Sequence, residues 1–447
     1  MKAIKIAYTD KEITAFGGIS LMKQMLERIS IKEELEGMDL PKQGSNRGYK
    51  PIQLIINFWI GIWCGANRYE HLEVTRRDEV IREIFGWKRM SGHKAMARYL
   101  EKFEQGINQK VFTRMYQWFF EKLKFDNYTL DCDSTIMTRY GEQEGVEKGY
   151  NPKKRGRKSH HPLVAFVNES RMVSNFWLRK GNSHTANNFL SFLEDTVEKL
   201  KGKKIGLLRC DSGFYSKEIL EYLEGKREAE EEEEKKRRIN YIMAVRFSMP
   251  IKSKLAKEKT WMKLDEGIEI SETTYKAQDW EKERRIVMIR QDVRERPKAV
   301  GKQLRLFADE MMYRNYRYSC FITNMDLPAK TIYDLYRNRA EAENRIKELK
   351  EDFGAESFVS KNFWATEAAL NLVMMAYNLM SLFRQGVLGG KIETQLKTLR
   401  YKVFAIGGYM IKRGNNRILK LSLAMKRREW FSGLWSQTGL MFWPFIT

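Results

Sequence analysis

Three carboxylates far apart in the chain, Asp133, Asp211 and Glu343, are the residues best suited to chemistry. Asp133 lies in Asp131-Cys132-Asp133-Ser134-Thr135, within an alternating, β-rich run over residues 128–136. Asp211 follows a short apolar run, residues 204–210, and precedes Ser212-Gly213. That puts it at the carboxyl end of a buried strand, where α/β sites form. Glu343 lies in residues 331–351, TIYDLYRNRAEAENRIKELKE, which hold no Pro or Gly and predict one helix. Carboxylate oxygens are hard donors that suit Mg²⁺. Two such ions about 4 Å apart activate water or a 3′ hydroxyl and stabilise the leaving oxygen in phosphodiester attack. The five histidines, His71, His93, His160, His161 and His184, can then be spectators; His160 and His161 lie near the site in sequence and either touch DNA or serve surface or structural roles.

The elements that must position these residues carry signals of their own. At about 100° per residue, Tyr336, Arg339, Glu343 and Lys350 share a polar stripe about 60° wide. An apolar stripe of Leu335, Ala342, Ile346 and Leu349 runs beside it. The plain alternative is a surface helix with i,i+4 pairs such as Arg339 with Glu343. Asp131 shares a strand face with Asp133, so it either ligates metal or supports the site. Two carboxylates on a strand are costly unless something positive meets them. A loop over residues 141–161 brings Lys153, Lys154, Arg155, Arg157 and Lys158 around Gly156. That charge suits a phosphate backbone lying across a metal site.

The formal charge of +23 points to a polyanion, most often nucleic acid. The four cysteines, Cys64, Cys132, Cys210 and Cys320, form no CxxC pair, which argues against zinc or a disulfide framework and suits a reducing cytosol. The most apolar run, residues 51–66, is too short to span a bilayer and contains Gln53 and Asn57. No signal peptide is expected.

Taken in order, residues 1–125 are expected to be helical and DNA-binding, with Arg68, Tyr69, Arg76, Arg77, Trp87, Lys88, Arg89 and Arg98 interleaved. Residues 126–247 form the first part of an α/β core, with a hairpin over 163–178, a helix over 186–200 and strands at 204–210 and 239–246. Residues 227–238 read as a solvated linker. Residues 248–315 read as a β-rich insertion with pieces at 268–275, 285–290 and 304–313; its Trp261 and Trp280 are packed or stack on an unpaired base. Residues 316–390 hold the last core strand and the Glu343 helix, and 391–447 a terminal hairpin and tail around Gly414-Asn415-Asn416. This order matches a ribonuclease-H-like α/β fold, whose sheet gathers three distant carboxylates at one edge.

At these residues the chain resembles the DDE transposases of bacterial insertion sequences, group 1, in the cut-and-paste branch. That branch carries a Tyr, two residues, Arg, three residues, Glu, six residues, Lys signature, met here by Tyr336, Arg339, Glu343 and Lys350. Asp133-Ser134-Thr135, Leu207-Leu208-Arg209-Cys210-Asp211, Gly149-Tyr150-Asn151-Pro152 and Ala376-Tyr377-Asn378-Leu379 extend the resemblance over residues 60–425. It implies that Asp133, Asp211 and Glu343 hold two Mg²⁺ ions, with Mn²⁺ able to substitute, and that no small-molecule cofactor is used. Tyr336, Arg339 and Lys350 would contact phosphates, and a flipped base would meet an aromatic such as Trp280. The enzyme would bind terminal inverted repeats in double-stranded DNA, excise the element and join its 3′ ends to target DNA. It would act as a homodimer on paired ends, in the bacterial cytoplasm at the nucleoid and away from membranes. The alternatives are a domesticated DNA-binding protein that no longer cuts, and a ribonuclease-H-like nuclease without strand transfer.

Overall fold

The computed structural model describes residues 4–125, 127–225, 238–295, 311–313, 315–389, 392–441 and 443. The expected linker at 227–238 and strand piece at 304–313 fall mostly outside these residues. The chain divides into two compact units. One comprises 1–124, 141–144 and 347–445, the other 125–140, 145–346 and 446–447.

The first unit opens with helices α1 (Ser20–Arg28), α2 (Ile31–Glu36), α3 (Pro51–Trp63), α4 (Leu72–Arg76), α5 (Glu79–Ile84), α6 (His93–Leu100) and α7 (Gln105–Lys122). Helices α1 and α2 are separated at Ser30, which takes φ 55°. Asp78 caps α5 by accepting a hydrogen bond from the Ile81 amide at 2.9 Å. The basic residues Arg68, Arg76, Arg77, Lys88, Arg89 and Arg98 are exposed.

The second unit is built on a mixed sheet. Its strands are β1 (Asn127–Ser134), β5 (Leu163–Val167), β6 (Met172–Trp177), β7 (Lys204–Cys210) and β8 (Tyr241–Ala244), with a small separate sheet of β2 (Met137–Thr138), β3 (Glu147–Lys148) and β4 (Lys158–His160). The order β6-β5-β1-β7-β8 has β5 antiparallel to β1, and β1, β7 and β8 mutually parallel. That is the ribonuclease-H-like arrangement. Parallel neighbours need crossovers, and α8 (Phe189–Lys199) and α9 (Lys217–Leu223) supply them.

The strands of the β-rich segment extend the main sheet. After α10 (Met249–Lys257), β9 (Met262–Asp265), β10 (Ile268–Tyr275) and β11 (Arg284–Asp292) join the main sheet through β13 (Tyr316–Thr323), with β12 (Met311–Tyr313) pairing β13. The reason is edge pairing: β13 lies antiparallel to β8, and its other edge is covered by β11 through eight residue pairs from Arg285↔Thr323 to Asp292↔Tyr316. Trp280 is buried, edge-on to Tyr215 and Tyr275, with the Arg284 guanidinium 4.5 Å from its ring centre. Trp261 donates to the Glu258 carbonyl and carries Arg290 over its ring.

The remaining helices are α11 (Ala329–Arg337), α12 (Ala340–Glu351), α13 (Phe363–Gly386), α14 (Leu396–Leu399) and α15 (Met425–Leu440), with the hairpin β14 (Gly408–Arg413) and β15 (Asn416–Leu421) before α15. Helix α13 is the core of the first unit and is buried from Ala365 to Arg384. Trp59 and Trp63, one helical turn apart on α3, donate to its Leu372 and Ala376 carbonyls at 2.9 and 3.2 Å. The Asn108 amide nitrogen and the Tyr116 hydroxyl of α7 donate to Glu367 and Asn371 at 3.0 Å each, so these buried donors are satisfied within the core. Among the described residues no helix is long and apolar enough to cross a membrane.

Candidate active site

The expected single helix over 331–351 is two helices. α11 ends at Arg337, and the chain tightens through Asn338 and Arg339 before α12 begins at Ala340. The Arg339 amide bonds the Tyr336 carbonyl at 2.9 Å and the Ala342 amide bonds the Arg339 carbonyl at 2.8 Å, both three-residue closures. A single 100° wheel therefore does not run through this segment. The break is held by what Arg339 meets: its side chain is buried, and Nη2 lies 3.1 Å from Oδ2 of Asp133.

Two reciprocal contacts fasten the end of α11 to the end of β7. The Tyr336 hydroxyl donates to the Cys210 carbonyl at 3.3 Å, and Arg209 Nη1 donates to the Leu335 carbonyl at 2.5 Å. The Tyr336 ring packs in a cluster with Leu207, Ile242, Phe321 and Ile332. Tyr336 and Arg339, expected to face phosphates, are thus turned into the protein. Both carry polar groups beside an apolar stripe, and burial is favourable once a carbonyl and a carboxylate receive them.

On β1 the two same-face aspartates divide their roles. Asp131 is fully buried and takes a bidentate pair from Arg209, at 2.6 and 2.8 Å, with Arg345 Nη1 at 3.9 Å. Arg345 also reaches the Asn168 side chain at 2.9 Å. Asp131 is therefore committed to structural guanidinium contacts. Asp133, two residues on, accepts from the Ser134 amide at 2.8 Å and faces Arg339. Asp211 accepts from the Gly213 amide at 3.0 Å and so also caps its turn. A Cβ on Gly213 would lie 2.8 Å from Thr185 Cγ2 and 3.0 Å from Asp211 Oδ1, so this turn requires glycine's small volume.

Asp133, Asp211 and Glu343 lie within one another's electrostatic reach. Burial raises the Asp133 carboxyl to about 6, opposed by Arg339 and reinforced by Asp211 and Asp131. Burial raises Glu343 to about 7, opposed by Arg339 and Lys153 and reinforced by Asp133 and Asp211. Burial works against the charge on Arg339, but Asp133, Tyr336, Asp211 and Asp131 together hold the guanidinium firmly protonated. Glu343 makes no hydrogen bond or ion pair among the described residues. Nor, among them, are three metal-binding side chains gathered at ligation distance. The donor chemistry nevertheless fits hard divalent cations: Asp211 adds to the proton affinity of Asp133, both add to that of Glu343, and a cation would relieve that repulsion.

Around this group stand further polar residues, of which Ser183, Thr185, Arg139 and Arg209 were not singled out from the sequence. His161 bonds Ser134 Oγ at 3.2 Å and the Ser183 carbonyl at 2.7 Å, and Ser134 bonds Thr185 at 3.1 Å. Burial keeps the His161 imidazole below its usual range. His160 accepts from Arg139 in the interior. Arg209 lies on β7 two residues before Asp211, and that shared parity was the available signal for it. The basic loop between β3 and β4 exposes Lys153, Lys154, Arg155, Arg157 and Lys158. Lys154 and Arg157 lie over the Tyr140 ring, and Lys153 is close enough to act on Glu343. Lys350, two turns beyond Glu343 on α12, pairs with Glu356 at 3.0 Å.

Residues 1–438 match the family described as Transposase DDE domain group 1. The chain belongs to this family. It is a DDE-type DNA transposase, of a class that uses divalent metal ions. None of the curated proteins matches it. Among solved structures, it is similar to a piggyBac transposase synaptic complex with hairpin DNA, at 11% identity, over 88% of this chain and 81% of that one, with a TM-score of 0.45.

Proposed function

We propose that this DDE transposase cuts and pastes an insertion sequence, recognising terminal inverted repeats, freeing the element and joining its 3′ ends to target DNA as a homodimer on paired ends. The observation that carries the reading is the electrostatic union of Asp133, Asp211 and Glu343 at the carboxyl ends of β1 and β7 and the start of α12. These three residues would hold the metal, Mg²⁺ by donor preference. Bound there, two such ions supply Lewis-acid activation of water or a 3′ hydroxyl and charge for the leaving oxygen.

The chain's own residues do the rest. Tyr336 and Arg209 fix α11 against β7. Arg339 fixes Asp133 and balances its charge, which makes both Tyr336 and Arg339 positioning residues. Asp131, held by Arg209 and Arg345, anchors the strand beneath Asp133. Lys153, Lys154, Arg155, Arg157 and Lys158 are the phosphate contacts, with Lys350 a further one on α12. The protein acts in the bacterial cytoplasm, at the nucleoid when bound.

The test is a cleavage assay on a labelled duplex carrying the DNA that flanks the gene, in Mg²⁺ or EDTA, comparing wild type with Glu343→Ala. Metal-dependent cuts at the repeat ends, lost in the variant, support the reading. Binding at those ends without a cut in any divalent metal overturns it.

A further inference from the structure

The strongest feature outside the carboxylate group is the hairpin β14–β15. Residues 400–430 hold nine lysines and arginines and one acidic residue, Glu429. Arg400 is tied to the Trp63 and Ile62 carbonyls, but Lys402, Lys412, Arg413, Arg417, Lys420, Lys426, Arg427 and Arg428 are exposed. Among the described residues none of these eight forms an ion pair.

The register places this charge in a specific way. Lys412 stands directly across from Arg417, a like-charge pair that weakens a hairpin. Side chains alternate along each strand. One face therefore carries Tyr409 with Lys420, Ile411 with Ile418, and Arg413 with Asn416. The other carries Met410 with Leu419 and Lys412 with Arg417. The apolar pairs sit midway and stiffen the ribbon, while the tip is basic on both faces. Gly414, at φ 59°, and Asn415 make the turn, and Asn415 and Asn416 are exposed at the end. The base is fixed: Thr14 and Gly408 exchange backbone hydrogen bonds at 2.8 and 3.0 Å, and the Ser422 amide bonds the Gly407 carbonyl at 2.7 Å. Each strand is about 20 Å long.

A protein that binds one flat anionic surface needs charge on one face. A ribbon inside a duplex groove meets a phosphate wall on each side, and the major groove admits a two-stranded ribbon. We propose that β14–β15 is a DNA-binding ribbon that enters the major groove, with Lys412, Arg413, Arg417 and Lys420 on phosphates and Asn415 and Asn416 toward base edges. The inference rests on the transposase reading for its partner, DNA, but not on the three carboxylates.

The experiment uses the full chain with Lys412→Gln, Arg413→Gln, Arg417→Gln and Lys420→Gln together, binding a duplex of arbitrary sequence across a salt series. The slope of log K against log salt should flatten by about 3.6, roughly a 150-fold smaller change in affinity between 50 and 200 mM salt. Circular dichroism should match wild type. If the quadruple variant misfolds, Lys412→Gln and Arg417→Gln are tested singly. Each should flatten the slope by about 0.9 while relieving the like-charge pair. An unchanged slope overturns the proposal, as does loss of binding to anionic vesicles with the DNA slope intact. If the slope flattens but wild type never cuts, the ribbon stands and the catalytic reading falls. If wild type cuts and the slope is unchanged, the ribbon alone falls.

Discussion

Asp131 and Asp133 illustrate how two identical side chains on one strand face acquire different work. Asp131 is enclosed by Arg209 and Arg345, so its removal leaves buried guanidinium groups without their anion. Asp131→Asn is expected to destabilise the fold by about 3–5 kcal/mol, measured by urea unfolding. Asp211→Asn, by contrast, should abolish cleavage in Mg²⁺ while the protein still binds DNA ends; a variant that still cuts would remove Asp211 from the metal ligands. The raised carboxyls also set a pH dependence. A carboxyl whose folded-state value lies above its unfolded value favours folding below the unfolded value, and the contribution is lost as pH rises through the folded one. For Asp133 and Glu343 that loss runs from about pH 4 through about 6 and about 7 respectively. Without divalent metal, the melting temperature should therefore fall across this window, and Glu343→Gln should flatten the fall. Calorimetry at a series of pH values decides it.

At the scale of elements, the break between α11 and α12 is the joint on which the site depends. It sets Arg339 toward Asp133 and starts α12 so that Glu343 lies in its first turn. Tyr336→Phe removes one hydrogen bond from the fastening of α11 to β7 and should cost about 1 kcal/mol of stability. Its larger effect should be on cutting rate, because Asp211 directly follows the carbonyl that the hydroxyl holds. Equal wild-type and variant rates would show that this contact does not position the site. The same geometry separates Arg339 from the loop cations. Arg339→Ala should leave the salt slope of DNA binding unchanged, since the side chain is buried, whereas Lys154→Ala or Arg157→Ala should each lower it by about 0.9.

For the whole molecule, a formal charge of +23 accompanies carboxylates that repel one another, Asp133 and Asp211 both acting on Glu343. Metal should therefore stabilise the folded chain as well as activate it. At Mg²⁺ a hundredfold above its dissociation constant, stabilisation of about 2.7 kcal/mol is expected, read as a raised melting temperature and absent from Asp133→Asn. A melting temperature indifferent to Mg²⁺ and Mn²⁺ alike would speak against the carboxylates as ligands.

Much of this was determined by the sequence alone. Local pattern specified the strands Lys204–Cys210 and Ile268–Tyr275 and the last core strand, Tyr316–Thr323, because period and burial are properties of neighbouring residues. The motifs and the resemblance they carry singled out Asp133, Asp211 and Glu343, which the fold brings within electrostatic reach of one another. Only the tertiary structure decided where the positive charges went. The helical wheel put Tyr336 and Arg339 on one polar stripe with Glu343 but could not tell an outward stripe from an inward one. That choice belongs to Asp133 and the Cys210 carbonyl, which are distant in the chain and adjacent in the fold. The joining of the residue 248–315 strands to the main sheet was likewise beyond local pattern, since an open strand edge exists only once β8 and β13 have paired.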